Sequence, residues 1–163
     1  MLSHAGLPGF SSPQGGVIVD GMNPGDLREV LEIEVHSFPE PWSEVLFREE
    51  MANPRSHCFI LRSTASPLCS VRGYLCFRNV EDESELLKLA VRPEHRRKGF
   101  GRVLMDFYVA FCREGNVHKL YLEVQSRNQE ALCLYEAFSY RRVGIRPHYY
   151  PHRQDALLML KEV

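Results

Sequence analysis

The residue types able to do chemistry fall in two stretches. The first is Arg92-Pro93-Glu94-His95-Arg96-Arg97-Lys98-Gly99-Phe100-Gly101-Arg102, and the second runs from Glu123 through Asn128 to Tyr135. An apolar run (Leu86, Leu87, Leu89, Ala90, Val91) precedes the basic turn, and a helical pattern (Val103, Leu104, Phe107, Tyr108, Phe111) follows it. A strand, a glycine-containing basic turn and a helix start therefore meet at one point. A helix N-terminus carries unpaired N–H groups and partial positive charge, which suits an anion. Gly99 and Gly101 remove side chains where a phosphate would approach the backbone. Two common phosphate loops are excluded. A Walker A loop needs Gly-Lys-Ser/Thr, and Arg102-Val103 follows Gly101. A dinucleotide fingerprint needs a third glycine where Leu104 stands.

In the second stretch Glu123 alternates with Leu122 and Val124, which puts it on the polar face of a strand. That position suits a solvated surface carboxylate. Asn128 is a good N-cap, and a capping side chain can also meet a ligand. Tyr135 shares a helical face with Ala131 and Phe138, so periodicity alone makes it a core residue.

These groups must be held by a framework of strands and helices. Residues 1–16 are rich in Gly, Ser and Pro and read as a mobile leader, leaving 17–163 as one domain. A strand is predicted at 17–19. A helix follows from Asn23 or Asp26, with the stripe Leu27, Val30, Leu31, Val35 and Phe38. Ser43 caps a second helix to about Ala52, where Asn53-Pro54 stops it. Strands are expected near 57–63 and 71–79, joined by a polar turn at Ser66-Pro67. A strand at 86–91 leads to the basic turn, and the helix after it runs to about Arg113. A strand at 119–125, a helix from Asn128 to about Phe138, and strands near 140–145 and 156–161 complete the chain. This mixture, with strands outnumbering helices, is an α+β pattern.

The net charge of −1 gives no overall drive toward nucleic acid or an anionic membrane. No segment has the run of about 20 apolar residues that spans a bilayer. The five cysteines, Cys58, Cys69, Cys76, Cys112 and Cys133, are odd in number and lack CxxC spacing. They read as reduced thiols of a cytoplasmic protein, and no metal site is expected.

With these motifs the chain resembles the GNAT superfamily of N-acetyltransferases. The family's acetyl-CoA motif, Gln/Arg-x-x-Gly-x-Gly/Ala after a strand, corresponds to Arg96-Arg97-Lys98-Gly99-Phe100-Gly101. The resemblance implies a GNAT fold, with a central, mostly antiparallel twisted sheet of about six or seven strands flanked by about four helices. It also implies a pyrophosphate cradle at Arg96, Arg97, Lys98, Gly99, Phe100, Gly101 and Arg102. Leu89, Ala90 and Val91 would pair with the pantetheine arm as an added strand does.

A narrower likeness, to the ribosomal-protein-alanine N-acetyltransferases, lies in Leu122-Glu123-Val124-Gln125-Ser126-Arg127-Asn128, Ala131 and Leu134-Tyr135-Glu136. Phe38, Pro41-Trp42-Ser43 and Arg146-Pro147-His148-Tyr149-Tyr150 add to it. It implies Glu123 as general base, Tyr135 as general acid, Asn128 as a cofactor contact, and a protein N-terminus, such as a ribosomal protein's, as acceptor. His148, Tyr149, Tyr150 and His152 are candidates to line the acceptor path. Two departures stand out. Pro39-Glu40 interrupts the family's Phe-Pro-Trp, and Ser139-Tyr140 replaces its Gly-Phe, so the turn leaving that helix is expected to differ.

The chemistry is consistent with this assignment. An α-amine has a reference pKa near ~8, and a lysine side chain one near ~10.4. The difference is worth about 3 kcal/mol at pH 7, so one carboxylate suffices for an N-terminal acceptor. A phenol is a weaker acid than an alkyl thiol by about 2 kcal/mol, which points Tyr135 toward a hydrogen bond to sulfur rather than full proton transfer. Direct transfer in a ternary complex is expected. The alternatives are an acetyltransferase for a small amine or lysine side chain, and a non-catalytic acetyl-CoA-binding module. Oligomeric state is left open.

Overall fold

The computed structural model describes residues 16–65 and 70–163. Residues 1–15 of the expected leader (1–16), the turn at Ser66-Pro67 and Cys69 lie outside the described residues. In chain order the elements are β1(Val17–Gly21), α1(Leu27–Ser37), α2(Glu44–Ala52), β2(Ser56–Ser63), β3(Val71–Val80), β4(Glu83–Val91), α3(Phe100–Glu114), β5(Lys119–Gln125), α4(Gln129–Ala137), β6(Arg141–Tyr150) and β7(Gln154–Glu162). Short 3-10 turns at Pro24–Asp26, Pro93–His95 and Pro151–Arg153 each start on proline, whose fixed φ suits a helical first position.

The strands form one sheet of seven, in the order β1-β2-β3-β4-β5-β7-β6. Every neighbouring pair is antiparallel except β4 and β5, which run parallel. The α+β class and the expected strand and helix numbers therefore hold among the described residues, with a mixed sheet. Strand alternation divides the core in two. Leu75 and Phe77 of β3 pack with Leu104, Phe107 and Tyr108 of α3 and Leu132 of α4. Tyr74 and Cys76 point the other way, to Val30 and Ile33 of α1 and Phe47 of α2. Each such large apolar side chain contributes about 1.5–3 kcal/mol through burial.

Three local features differ from expectation. First, β4 starts at Glu83, ahead of its apolar run, because the Ser84 side chain points inward and accepts a hydrogen bond from the Tyr108 hydroxyl (2.9 Å). Second, Val35 is 56 % exposed, and the buried stripe of α1 instead passes through Ile33 and a fully buried Glu34. The Glu34 carboxylate accepts from the Lys88 ammonium (2.6 Å), the Trp42 N–H (2.8 Å) and the Tyr74 hydroxyl. Lys88 also lies over the Phe38 ring at 3.8 Å. A buried charge survives only when paired in this way, and the pairing fastens the α1–α2 connection onto β4.

The third concerns the turn after α4. Ser139 does not divert it: the residue adopts the left-handed φ of 64° that glycine would take. Tyr140 N–H donates to the Tyr135 carbonyl (3.1 Å) and Ser139 N–H to that of Glu136 (2.9 Å), the pattern of a Schellman C-cap. The turn is kept at the cost of strain. Ser139→Gly is therefore expected to stabilise the fold by about 0.5–1 kcal/mol, after the extra freedom of glycine in the unfolded chain is subtracted. Thermal unfolding should rise by about 2 °C; an unchanged or lower midpoint would contradict strain at Ser139.

Candidate active site

The site is created where β4 and β5 part. Their ladder ends at Leu86 and Leu122, yet β4 continues to Val91 and β5 to Gln125. The cause is a bulge: Phe77 pairs with Leu86 and Cys76 with Lys88, leaving Leu87 extra. A bulge bends its strand and increases local twist, so β4 leaves β5 at this residue. Leu89, Ala90 and Val91 remain paired with Leu75, Tyr74 and Gly73 through one edge. Their other edge faces the gap, where an extended ligand can satisfy it.

Because the two strands are parallel, both helices that follow them begin at the same end of the gap. Gly99 is the N-cap of α3 with φ 82°, and Asn128 is the N-cap of α4. The N–H groups of Phe100, Gly101 and Arg102 precede any intrahelical acceptor, and Val103 is the first to find one, at the Gly99 carbonyl (3.1 Å). A Cβ built on Gly99 meets nothing within 4 Å, so the turn has an open side. At Gly101 the same Cβ would touch Leu134 at 3.4 Å, so this glycine also lets α3 lie close to α4.

The basic residues of the turn divide into two sets. Arg96 is turned inward, donating to the Val91 carbonyl and the Ser37 hydroxyl (both 3.0 Å), and so holds the turn to β4 and α1. Arg92 is buried against the Val71 carbonyl, Glu29 and Glu32. Arg97 points outward in an exposed ion pair with Glu130 (3.5 Å), Lys98 is exposed, and Arg102 lies over the Phe138 ring. Phe100 packs against the α3–α4 core. Arg97, Lys98 and Arg102 are thus the cations available to an anion at this helix end.

Glu123 and Tyr135 lie on opposite faces of the sheet. The Glu123 side chain is 20 % exposed and points away from the Leu122 and Val124 core, toward the face covered by α1 and α2. It lines a cavity of about 510 Å³ with Asn53, Arg78, Glu85, Arg146 and Leu158. Its Oε1 is paired with the Arg146 guanidinium at 3.0 Å. Tyr135 is 8 % exposed, within the α3–α4 core, with its ring 5.9 Å from that of Tyr140. The Tyr135 hydroxyl makes no recorded hydrogen bond among the described residues. Burial pushes its phenol well above the usual tyrosine range, with a further push from Tyr150. The Tyr150 phenol is itself raised, by burial and then by the Glu123 carboxylate.

This arrangement offers an anion cradle, an extended slot and a carboxylate beside it, with a buried, protonated phenol on the opposite face of the sheet. Among the described residues no group of three or more His, Cys, Asp or Glu side chains is disposed to hold a metal ion. Trp42 serves both as a core aromatic, edge-on to Phe47, and as the wall of a second cavity with Leu46, Glu49 and Arg78. Sequence reasoning gave no role to Arg146, and it missed the Lys88–Glu34–Tyr74 cluster. One signal for the cluster was present: a lysine inside an apolar strand run needs a buried carboxylate.

Comparison with known proteins bears on this geometry. The family model described as "Acetyltransferase (GNAT) family" matches residues 27–140. The [ribosomal protein bS18]-alanine N-acetyltransferase of Escherichia coli (strain K12) is 30% identical, over 86% of this chain and 94% of its own. The N-alpha-acetyltransferase RimI of Mycobacterium tuberculosis is 31% identical, over 82% of this chain and 84% of its own. The crystal structure of the Escherichia coli ribosomal-protein-S18-alanine N-acetyltransferase superposes with a TM-score of 0.82 at 29% identity, covering 90% of this chain and 94% of that one.

Proposed function

The chain belongs to the GNAT acetyltransferase family, and from that premise we propose that it moves acetyl from acetyl-CoA to the α-amine of a protein N-terminus. The observation that carries this reading is the convergence of two helix N-termini and the Glu123 carboxylate on one gap between parallel strands. The relatives named for the alanine terminus of a ribosomal protein direct the choice of acceptor, an N-terminal alanine on a ribosomal protein, and the reaction is placed in the cytoplasm as part of the same proposal.

In this reading the N–H groups from Gly99 to Arg102, with Arg97, Lys98 and Arg102, hold the pyrophosphate. Arg96 and Phe100 fix the turn itself, and Asn128 offers a polar contact at the second helix end. The free edge of Leu89, Ala90 and Val91 hydrogen-bonds the pantetheine arm. Acetyl-CoA, when bound, supplies the thioester carbonyl. Glu123 takes the proton released as the acceptor nitrogen bonds to that carbon. The Tyr135 hydroxyl donates a hydrogen bond toward the sulfur as charge develops there; its raised pKa keeps it a donor throughout the working range. The acetyl group passes directly between substrates, with no acyl-enzyme.

A thiol-release assay tests the proposal with three acceptors: peptides beginning Ala-Arg, lysine peptides with blocked termini, and polyamines. Release with the free-terminus peptides alone is expected. Release only with lysine or polyamine would move the acceptor class, and cofactor binding without release from any acceptor would indicate a non-catalytic module.

A further inference from the structure

The Glu123 carboxylate already has a cationic partner, and that partner belongs to the protein. Arg146 is the last residue of β6 paired with β7 before a bulge that resumes at Tyr150. Its guanidinium reaches Glu123 Oε1 at 3.0 Å across the 510 Å³ cavity that both line. The Tyr149 ring lies 5.5 Å from it, and both side chains are about half exposed. No bond is recorded to Glu123 Oε2 among the described residues. A carboxylate with one oxygen paired to a cation has one oxygen left for an N–H donor, and a second full cation there meets a like charge at close range.

We propose that Arg146 is a positioning and specificity residue that reserves Glu123 for the uncharged form of the acceptor. Arg146 turns the carboxylate so that Oε2 faces the incoming nitrogen. A neutral amine donates one N–H to Oε2 and keeps its lone pair free to attack, whereas an ammonium is repelled by the guanidinium. This deepens the α-amine reading above and rests on it. A lysine ammonium is penalised for the same reason.

The other titratable or charged groups facing Glu123 are Glu83 and Glu85 from β4, Tyr121 of β5, Arg78 of β3, Arg55 and Tyr150. Arg78 is held by Glu50 (2.5 Å) and Glu83 by Lys119 (3.5 Å). The acceptor's α-amine, with a reference pKa near ~8, titrates between pH 6 and 9.

The test is the pH dependence of acceptor KM and kcat for the whole chain with an Ala-Arg peptide. In the parent protein KM should rise about tenfold per pH unit below ~8, while kcat stays level. In Arg146→Gln the ammonium binds too, so KM should flatten to within about threefold over the same range. The pH dependence should then move into kcat. Arg146→Lys, which keeps the charge, should restore the parent pattern. A KM profile in Arg146→Gln with the parent slope would overturn the proposal, as would equal weakening at every pH that lysine does not rescue. Should Arg146→Gln fail to fold, two peptides differing in α-amine pKa replace it. Their KM profiles in the parent protein should break at their own pKa values, and pH-independent profiles would overturn the idea. Absence of any turnover by the parent protein would instead count against the α-amine reading itself.

Discussion

Glu123→Gln lowers kcat by about 100-fold or more at pH 7, the expected result when a positioned general base is removed from a transfer to nitrogen. Acetyl-CoA affinity should be unchanged, because Glu123 faces the α1–α2 side and the cradle lies at the ends of α3 and α4. The glutamine is nearly isosteric and its carbonyl can still accept from Arg146, so the loss reports the missing base and not a collapsed cavity. A small diffusible base in the buffer should recover part of the rate. Steady-state kinetics with both substrates varied makes the distinction. A rise in acceptor KM with kcat unchanged would make Glu123 a binding group only.

Tyr135→Phe is expected to reduce kcat by about 100-fold, the effect of losing one donor aimed at a developing anion. Two observations shape this expectation. The hydroxyl makes no recorded hydrogen bond among the described residues, so its removal strands no protein partner and stability should change by less than about 1 kcal/mol. Burial raises the phenol above its usual range, so activity should not fall through tyrosine ionisation below about pH 10. Direct measurement of acetyl-CoA binding by titration calorimetry separates the roles. Equal losses in turnover and cofactor affinity, accompanied by a lower melting temperature, would identify Tyr135 as a packing residue.

Much of this architecture is legible in the sequence because local signals and tertiary demands agree. The alternation around Glu123, the cap at Asn128, the Pro and Gly stops and the strand-turn-helix at Gly99 each follow from backbone chemistry acting over a few residues. The departures arise where distant residues decide. Leu87 becomes a bulge residue because β3 and β5 make different demands on β4, which no local pattern records. Glu34 enters an apolar stripe only because Lys88, fifty-four residues away, is there to meet it. Ser139 holds a left-handed turn because the packing of α4 and Tyr140 outweighs its own preference. In the basic turn, types and spacing reveal an anion site but not that Arg96 is committed to Val91 and Ser37. Arg146 belongs to the same class, since its role depends on β6 lying across β7 from Glu123.

The central claim is that an α-amine, and not a side-chain amine, receives the acetyl group directly. One peptide that begins with alanine and carries an internal lysine, incubated with the protein and acetyl-CoA and then sequenced by tandem mass spectrometry, tests it. The acetyl group should be found on the alanine nitrogen, with the protein's own cysteines unmodified. An acetyl group on the lysine side chain, or an acetyl-cysteine protein that accumulates and then decays into product, would contradict the account.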